Sequence, residues 1–306
     1  MAKRRRKKGG VAFGFVITVG LLFLLTAFLL FNSGPSITSS HVPPKLPAYS
    51  GYLRAFAPMD SLQVSFDNLT AIRAVNQSVI SNQVFFELDQ PHVSFNTTSV
   101  GYRLTIGLTK PNTTVTVATL DQAAYRGLNA SLFGGQGGVL SQQSGNFTLY
   151  AAAGTISNET QAYWFTLIPA DRALLFSPGA NDAFQALEHV LNVFAGTTPS
   201  ILDNTGVDRM LYTVNGTEGH LALGIQQFSG TVRTGQATII SVDAVQSSTT
   251  ISYVVRFADS TNATAEITAV RSAYSLSHQF IQYDELVKAI EVEPISQLRV
   301  GIGLVG

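Results

Sequence analysis

AYWFTLIPADRALLFSPGANDAFQALEHVLNVFAG, residues 162–196, holds three elements in a row. The run 162–169 is dense in aromatic and β-branched residues, and 173–176 is a short apolar run. Asp171 and Arg172 lie between them, where a tight turn needs residues that tolerate its backbone, so a strand, a turn and a second strand are expected. In 182–195 the residues Ala183, Phe184, Leu187, Leu191 and Phe194 fall on one helical stripe. Ser177 or Asn181 can cap this helix and Gly196 can stop it. His189 lies nearly opposite the stripe, which predicts a solvent-facing position. Trp164 reads as a core aromatic.

Working outward, alternating or β-branched runs predict strands at 61–66, 84–88, 100–108, 114–120 and 146–152 on one side. On the other side they predict strands at 219–226, 237–244, 249–257, 279–283 and 288–293. Helices are expected at 69–80, 206–213 and 261–274, each opening at a capping-type residue. The order implies an α+β fold with mainly antiparallel sheets and a few amphipathic helices. A glycine cluster at 134–138 marks a seam between subdomains 51–145 and 146–306. The strand-turn-strand-helix pattern of 162–196, with a later β-β-α ending at Tyr274, resembles uncharacterised exported proteins built from paired ferredoxin-like units.

The start of the chain is of another kind. Six of its 19 basic residues, Lys3 to Lys8, precede 21 uncharged residues, Val11 to Phe31 (VAFGFVITVGLLFLLTAFLLF). At 1.5 Å per residue such a helix matches the roughly 30 Å hydrocarbon core of a bilayer. The expectation is a cytoplasmic basic tail (1–10), a transmembrane helix (11–31) and everything after it outside, because basic residues flank only the amino side. A cleavable signal is the alternative, although its apolar region is shorter and a small-x-small cleavage site is not evident. Lys7-Lys8-Gly9-Gly10 before the apolar run also resembles the leader of archaeal type IV pilins, which implies a filament subunit; Gly34 and Pro35 interrupt the stalk that family would show. Residues 32–50, with Pro35, Pro43, Pro44 and Pro47 among Ser and Thr, read as a semi-rigid linker, and His41 as a solvated residue within it.

Of 14 asparagines, nine stand in N-x-[ST]: Asn68, Asn76, Asn96, Asn112, Asn129, Asn146, Asn158, Asn215 and Asn262. Chance would give about three, so the acceptor pattern for N-glycosylation is enriched. Turn composition alone is the competing explanation, since Asn, Ser and Thr share turns. The chain has no cysteine. An extracellular metazoan domain of this length would usually carry disulfides. Abundant sequons without cysteine, on a single-pass topology, resemble an archaeal cell-surface glycoprotein in composition and topology; no family motif accompanies the resemblance.

Chemistry is sparse. The 134–138 glycines lack the Lys and Ser/Thr of a phosphate loop, and no zinc, nucleophile-elbow or EF-hand motif occurs. His41, His92, His189, His220 and His278 are isolated in sequence. Asp284, Glu285, Glu291 and Glu293 form an acidic cluster suited to a hard cation, but strand spacing makes Glu291 and Glu293 the solvent side of a strand whose Ile290 and Val292 face inward. No catalytic, cofactor or metal residue is assigned. Without the amino-terminal cluster the chain is mildly acidic, which argues against nucleic acid as a partner.

Two functions remain: a membrane-anchored envelope glycoprotein acting by structure or interaction with a protein partner or with itself, and an exported enzyme or ligand receptor whose residues converge only in space. Segments without sequons lie between Asn158 and Asn215 and beyond Asn262. A partner is therefore expected on the turns near Asp171, Ser177 and Thr197, on 197–208 and on 296–306.

Overall fold

The computed structural model describes residues 48–75, 84–89, 92–133, 139–156, 159–179, 181–214, 220–229, 232–243, 248–273 and 279–294. The expected transmembrane helix at 11–31, the glycine cluster at 134–138 and the segment 296–306 lie outside them. Among the described residues no helix is long and apolar enough to cross a membrane.

The chain runs α1 (Ala48–Phe56), β1 (Gln63–Asn68), α2 (Leu69–Val75), β2 (Val84–Leu88), β3 (Val93–Asn96), β4 (Val100–Gly107), β5 (Thr114–Leu120) and α3 (Gln122–Phe133). It continues through β6 (Leu140–Ser144), β7 (Phe147–Ile156), β8 (Glu159–Ile168), β9 (Ala173–Pro178), α4 (Asn181–Phe194), a 3-10 turn (Ile201–Asp203) and α5 (Thr205–Val214). The last elements are β10 (His220–Gln227), β11 (Arg233–Asp243), β12 (Ser248–Phe257), α6 (Ser260–Ala273), β13 (Gln279–Tyr283) and β14 (Leu286–Pro294). The α+β class with antiparallel pairing is thus present. Among the described residues, the 14 strands form one sheet in the order β13-β14-β12-β11-β10-β1-β4-β5-β9-β8-β7-β2-β3, with β6 on β7.

The stretch 162–196 folds as β8, turn, β9 and α4. Arg172 takes the left-handed conformation at that turn (φ 50°). β9 is buried on both faces along ALLFS because helices and aromatics cover both sides. Helix α4 ends where Gly196 takes φ 73°; the Gly196 and Thr197 amides donate to the Val193 and Asn192 carbonyls at 2.9 Å, closing the last turn. Trp164 packs edge-on against Phe184, 5.0 Å between centroids.

Side chains alternate across each strand, so the register divides the core into two layers. Val64, Phe66, Leu104, Ile106, Val117, Leu175, Leu223, Ile239 and Val254 face α1, α4 and α5. The opposite face packs under α2 and α3 through Ala118, Leu120, Phe165, Leu174 and Phe176, and under α6 through Phe257 and Val287.

Three expectations need correction. The boundary at 145/146 falls in the β6–β7 turn, and β1 lies between β4 and β10, so the described residues of both expected subdomains share one sheet in one compact unit. Two complete ferredoxin-like units are not formed. The β-β-α pattern occurs twice, and after β12 and α6 the strand β14 inserts between β12 and β13. After β9 and α4 the chain reaches β10, which β5, β4 and β1 separate from β9, because both edges of β9 are already paired with β8 and β5. Finally, the linker 32–50 is too long at its end: residues 48–50 begin α1, whose Tyr49, Leu53 and Phe56 are buried.

Candidate functional site

Six of the sequon asparagines are described, and none of them is buried. Asn112 and Asn146 are exposed in the β4–β5 and β6–β7 turns. Asn68 ends β1 and caps α2, its Oδ1 accepting from the Ala71 amide at 3.0 Å, which leaves Nδ2, the atom that would carry a sugar, outside the cap. Asn96 ends β3, Asn129 lies on α3 and Asn262 in the first turn of α6. Asn76, Asn158 and Asn215 lie outside the described residues. The three helices on one face, α2, α3 and α6, therefore each carry or begin at a sequon, whereas α1, α4 and α5 on the other contain none. Two acceptor motifs adjoin that second group: Asn215 follows the last residue of α5 in sequence, and Asn146 lies beside Ser144, which donates to Glu188 of α4 at 2.7 Å.

A cleft of about 500 Å³ opens where the starts of α5 and α6 meet the β13–β14 turn, lined by Asn204, Gly206, Arg209, Arg256, Asp284 and Glu285 among others. Both helices are capped: Asn204 Oδ1 accepts from Gly206 (3.0 Å) and Val207 (3.3 Å), and Asp259 Oδ1 accepts from the Asn262 amide (2.8 Å). Arg209 spans the turn, donating to Glu285 Oε1 at 2.6 Å and Asp284 Oδ2 at 3.2 Å. Arg256 donates through Nε to Thr234 Oγ1 (2.8 Å) and through Nη2 to the Thr234 carbonyl (3.2 Å). Burial pulls the Arg256 pKa down and Glu285 acts against that shift. Opposed charges and capped helices in one concavity can hold a small polar ligand. Asp259 and Ser260, as capping residues, and Asp284 and Glu285, as part of the acidic run, are visible in sequence; the arginines carry no local signal.

The acidic cluster does not assemble. Asp284 and Glu285 occupy the turn, while Glu291 and Glu293 lie about 20 Å further along β14 at strand rise. The expected orientation of that strand is also reversed at its end: Val292 is 63% exposed, and Glu291 and Glu293 are half-buried on the α6 face. Burial, followed by these two glutamates, pushes the Tyr253 hydroxyl up. Among the described residues no group of three His, Cys, Asp or Glu could hold a metal. His92 is exposed, His220 opens β10, and His41 and His278 lie outside the described residues. His189 is not simply solvent-facing, since its Nε2 lies 2.8 Å from Asp60 Oδ1 and its side chain is 27% exposed.

No family model matches the chain, and no curated protein matches it. Solved structures of TP0453 are similar to it. Crystal form IV has a TM-score of 0.45 at 7% identity, covering 81% of this chain and 96% of that one. Form III has a TM-score of 0.42 at 9% identity, covering 78% and 94%, and form I a TM-score of 0.42 at 9% identity, covering 79% and 95%.

Proposed function

We propose that the protein is a single-pass, membrane-anchored glycoprotein of the archaeal surface type, with a cytoplasmic amino-terminal tail and an extracellular body that acts by structure or interaction at the cell envelope. The observation that carries this reading is that nine of 14 asparagines stand in the acceptor motif and that none of the six described is buried. The charge asymmetry around Val11 to Phe31 supports the orientation. Because bulky glycans cannot occupy a packed interface, the lack of acceptors within α1, α4 and α5 supports contact through that layer, away from Asn146 and Asn215 at its borders. This shifts the expected docking surface from scattered turns to a helical face that includes 197–208.

The test is protease shaving of intact cells, followed by peptide mass spectrometry of the native protein. Digestion of the body with protection of about the first thirty residues is expected, as are sugar masses on the sequon peptides. A fully protected body, or nine unmodified sequons, would refute the reading. An added acceptor tests the contact face: Ala195→Asn, directly before Gly196 and Thr197, completes an N-x-T motif at an exposed site after α4, and its occupancy should dissociate surface complexes without lowering the melting temperature. Unchanged complexes would place the interface elsewhere. The second reading, an exported ligand-binding protein or enzyme, is favoured by the cleft at the starts of α5 and α6.

A further inference from the structure

The groups in the α5–α6 cleft are nearly all engaged with one another. The amides of Gly206, Val207 and Asn262 are taken by Asn204 and Asp259, so these three are not the binding donors. Asp284 and Glu285 share Arg209, and Asp259 accepts from both the amide and Nδ2 of Asn262.

Arg256 is different. Its Nε and Nη2 donate only to the neutral Thr234, and among the described residues no carboxylate lies within 4.0 Å of its guanidinium. Nη1 lies over Gly206; a Cβ at that position would overlap it, so only glycine admits the guanidinium there. Arginine stays protonated in proteins. The cleft therefore keeps a partly desolvated cation against the positive end of α5, where burial and the helix dipole oppose it and Glu285 offsets the burial only in part. A negative group in front of Nη1 relieves both.

We propose that this cleft binds a small molecule through an oxyanion, a carboxylate or phosphate, received by Arg256 Nη1, with Gly206 as the residue that leaves room for the guanidinium. A volume of about 500 Å³ exceeds that of the anion alone, so the anion is one end of a larger polar ligand. Glu285, which also lines the cleft and acts on Arg256, is an opposing charge for the anion that weakens binding and makes it selective. The proposal rests on the ligand-binding reading and does not depend on anchoring; because the cleft-lining Asp259 accepts from Asn262 Nδ2, the atom that would carry a sugar, binding is measured on unglycosylated chain, and the shaving and glycan experiments test the other reading separately.

The experiment is calorimetric titration of the full chain in detergent with sodium phosphate and, separately, sodium acetate, at ionic strength held constant with sodium chloride. Saturable binding of at least one anion is expected, and the tighter of the two identifies the phosphate or carboxylate source. Loss of a charge-assisted bond predicts about tenfold weaker binding or more in Arg256→Met, and Gly206→Ala should match it by displacing the guanidinium. Glu285→Gln should bind more tightly, and Arg126→Met, at an exposed cation on α3 over β3 and β5, should bind as the parent does. Melting curves establish that each variant is folded; if Arg256→Met is not, Gly206→Ala and Glu285→Gln decide. Absence of saturable binding by either anion overturns the proposal. So does parent-like affinity in folded Arg256→Met or Gly206→Ala, or equal weakening by Arg126→Met, which would reveal non-specific charge attraction.

Discussion

Asp67 of β1 and Arg103 of β4 face each other directly in the register, beneath α2, and the pair offers a quantitative test of the core. Arg103 donates to Asp67 Oδ2 twice, through Nε at 2.9 Å and Nη2 at 2.7 Å, and the two side chains are only 10% and 9% exposed. The same row of the sheet continues into Ala118 on β5 and Ala222 on β10, small residues that leave space for the arginine. Arg103→Met removes both charge-assisted bonds, each worth about 1.5–3 kcal/mol, and strands a buried carboxylate. The expected loss is about 3–5 kcal/mol, the range for breaking one partner of a buried pair. Asp67→Leu should cost a similar amount by stranding the guanidinium. The double variant Asp67→Leu/Arg103→Met should recover most of the loss, since burying two apolar groups avoids the desolvation that the pair must offset. Urea unfolding followed by circular dichroism, with linear extrapolation, gives the three values and their coupling. A loss below about 1 kcal/mol for Arg103→Met would show that the pair is solvated. A double variant as costly as both singles summed would show that its energy lies in packing rather than charge.

Gly154 of β7 lies where β2 crosses, and a Cβ there would stand 2.5 Å from the Glu87 carbonyl oxygen; Gly154→Ala should cost about 1–3 kcal/mol by overpacking a backbone atom that cannot yield, and an unchanged melting temperature would refute the close approach. Burial pushes the Tyr49 hydroxyl up to about 12. Because the folded pKa is above the unfolded one, its stabilising contribution is complete below about pH 10 and falls by up to about 1.4 kcal/mol per pH unit between there and about pH 12. Tyr49→Phe should flatten that part of the stability–pH curve, and an unaltered slope would mean the hydroxyl is hydrated. His189→Ala should cost at most about 1 kcal/mol, the scale of a partly exposed ion pair, and Asp60→Ala should match it; additive losses in the double variant would show the two residues do not interact.

The elements most legible in sequence are those whose local pattern matches their burial. Thr114–Leu120 has the boundaries expected from alternation, because Val115 and Val117 face one layer and the chain turns at both ends. Gln122–Phe133 is not evident in sequence because Gly127 interrupts it and Leu128 is its one buried residue, leaving little periodicity to see; Asp121, whose Oδ1 caps the Ala124 amide at 2.8 Å, is the available signal. Leu140–Ser144 is polar and exposed, held by its pairing to β7 rather than by side-chain burial. The cleft is illegible for a different reason. Arg209, Arg256 and Glu285 come from three separated segments, and nothing in the sequence near any of them reports the others. His189 and Asp60, 129 residues apart, are the same case on a smaller scale.

The sheet order explains why the two faces differ in what they can carry. β1 sits between β4 and β10, so α1 before it and α4 and α5 before β10 are brought to the same face, where α1 touches both α4 and the 3-10 turn and the Ala57 carbonyl accepts from the Ile201 amide at 2.8 Å. The helices on this face form a connected layer. Those on the opposite face pack against different parts of the sheet, α2 over β4 and β10, α3 over β3 and β5, α6 over β12 to β14, and each meets a sequon. A glycan on one of those separate helices would extend into solvent without crossing a helix–helix contact, whereas a glycan between α1 and α4 would have to part packed side chains such as Phe56 and Phe194, stacked at 5.2 Å. Acceptors within α2, α3 and α6 are compatible with folding for that reason. Packing accounts for the lack of acceptors on buried positions of α1, α4 and α5, but not on outward positions such as Gln185, Asn192 and Ala195, which are exposed. That part of the asymmetry is what the added acceptor at Ala195 addresses.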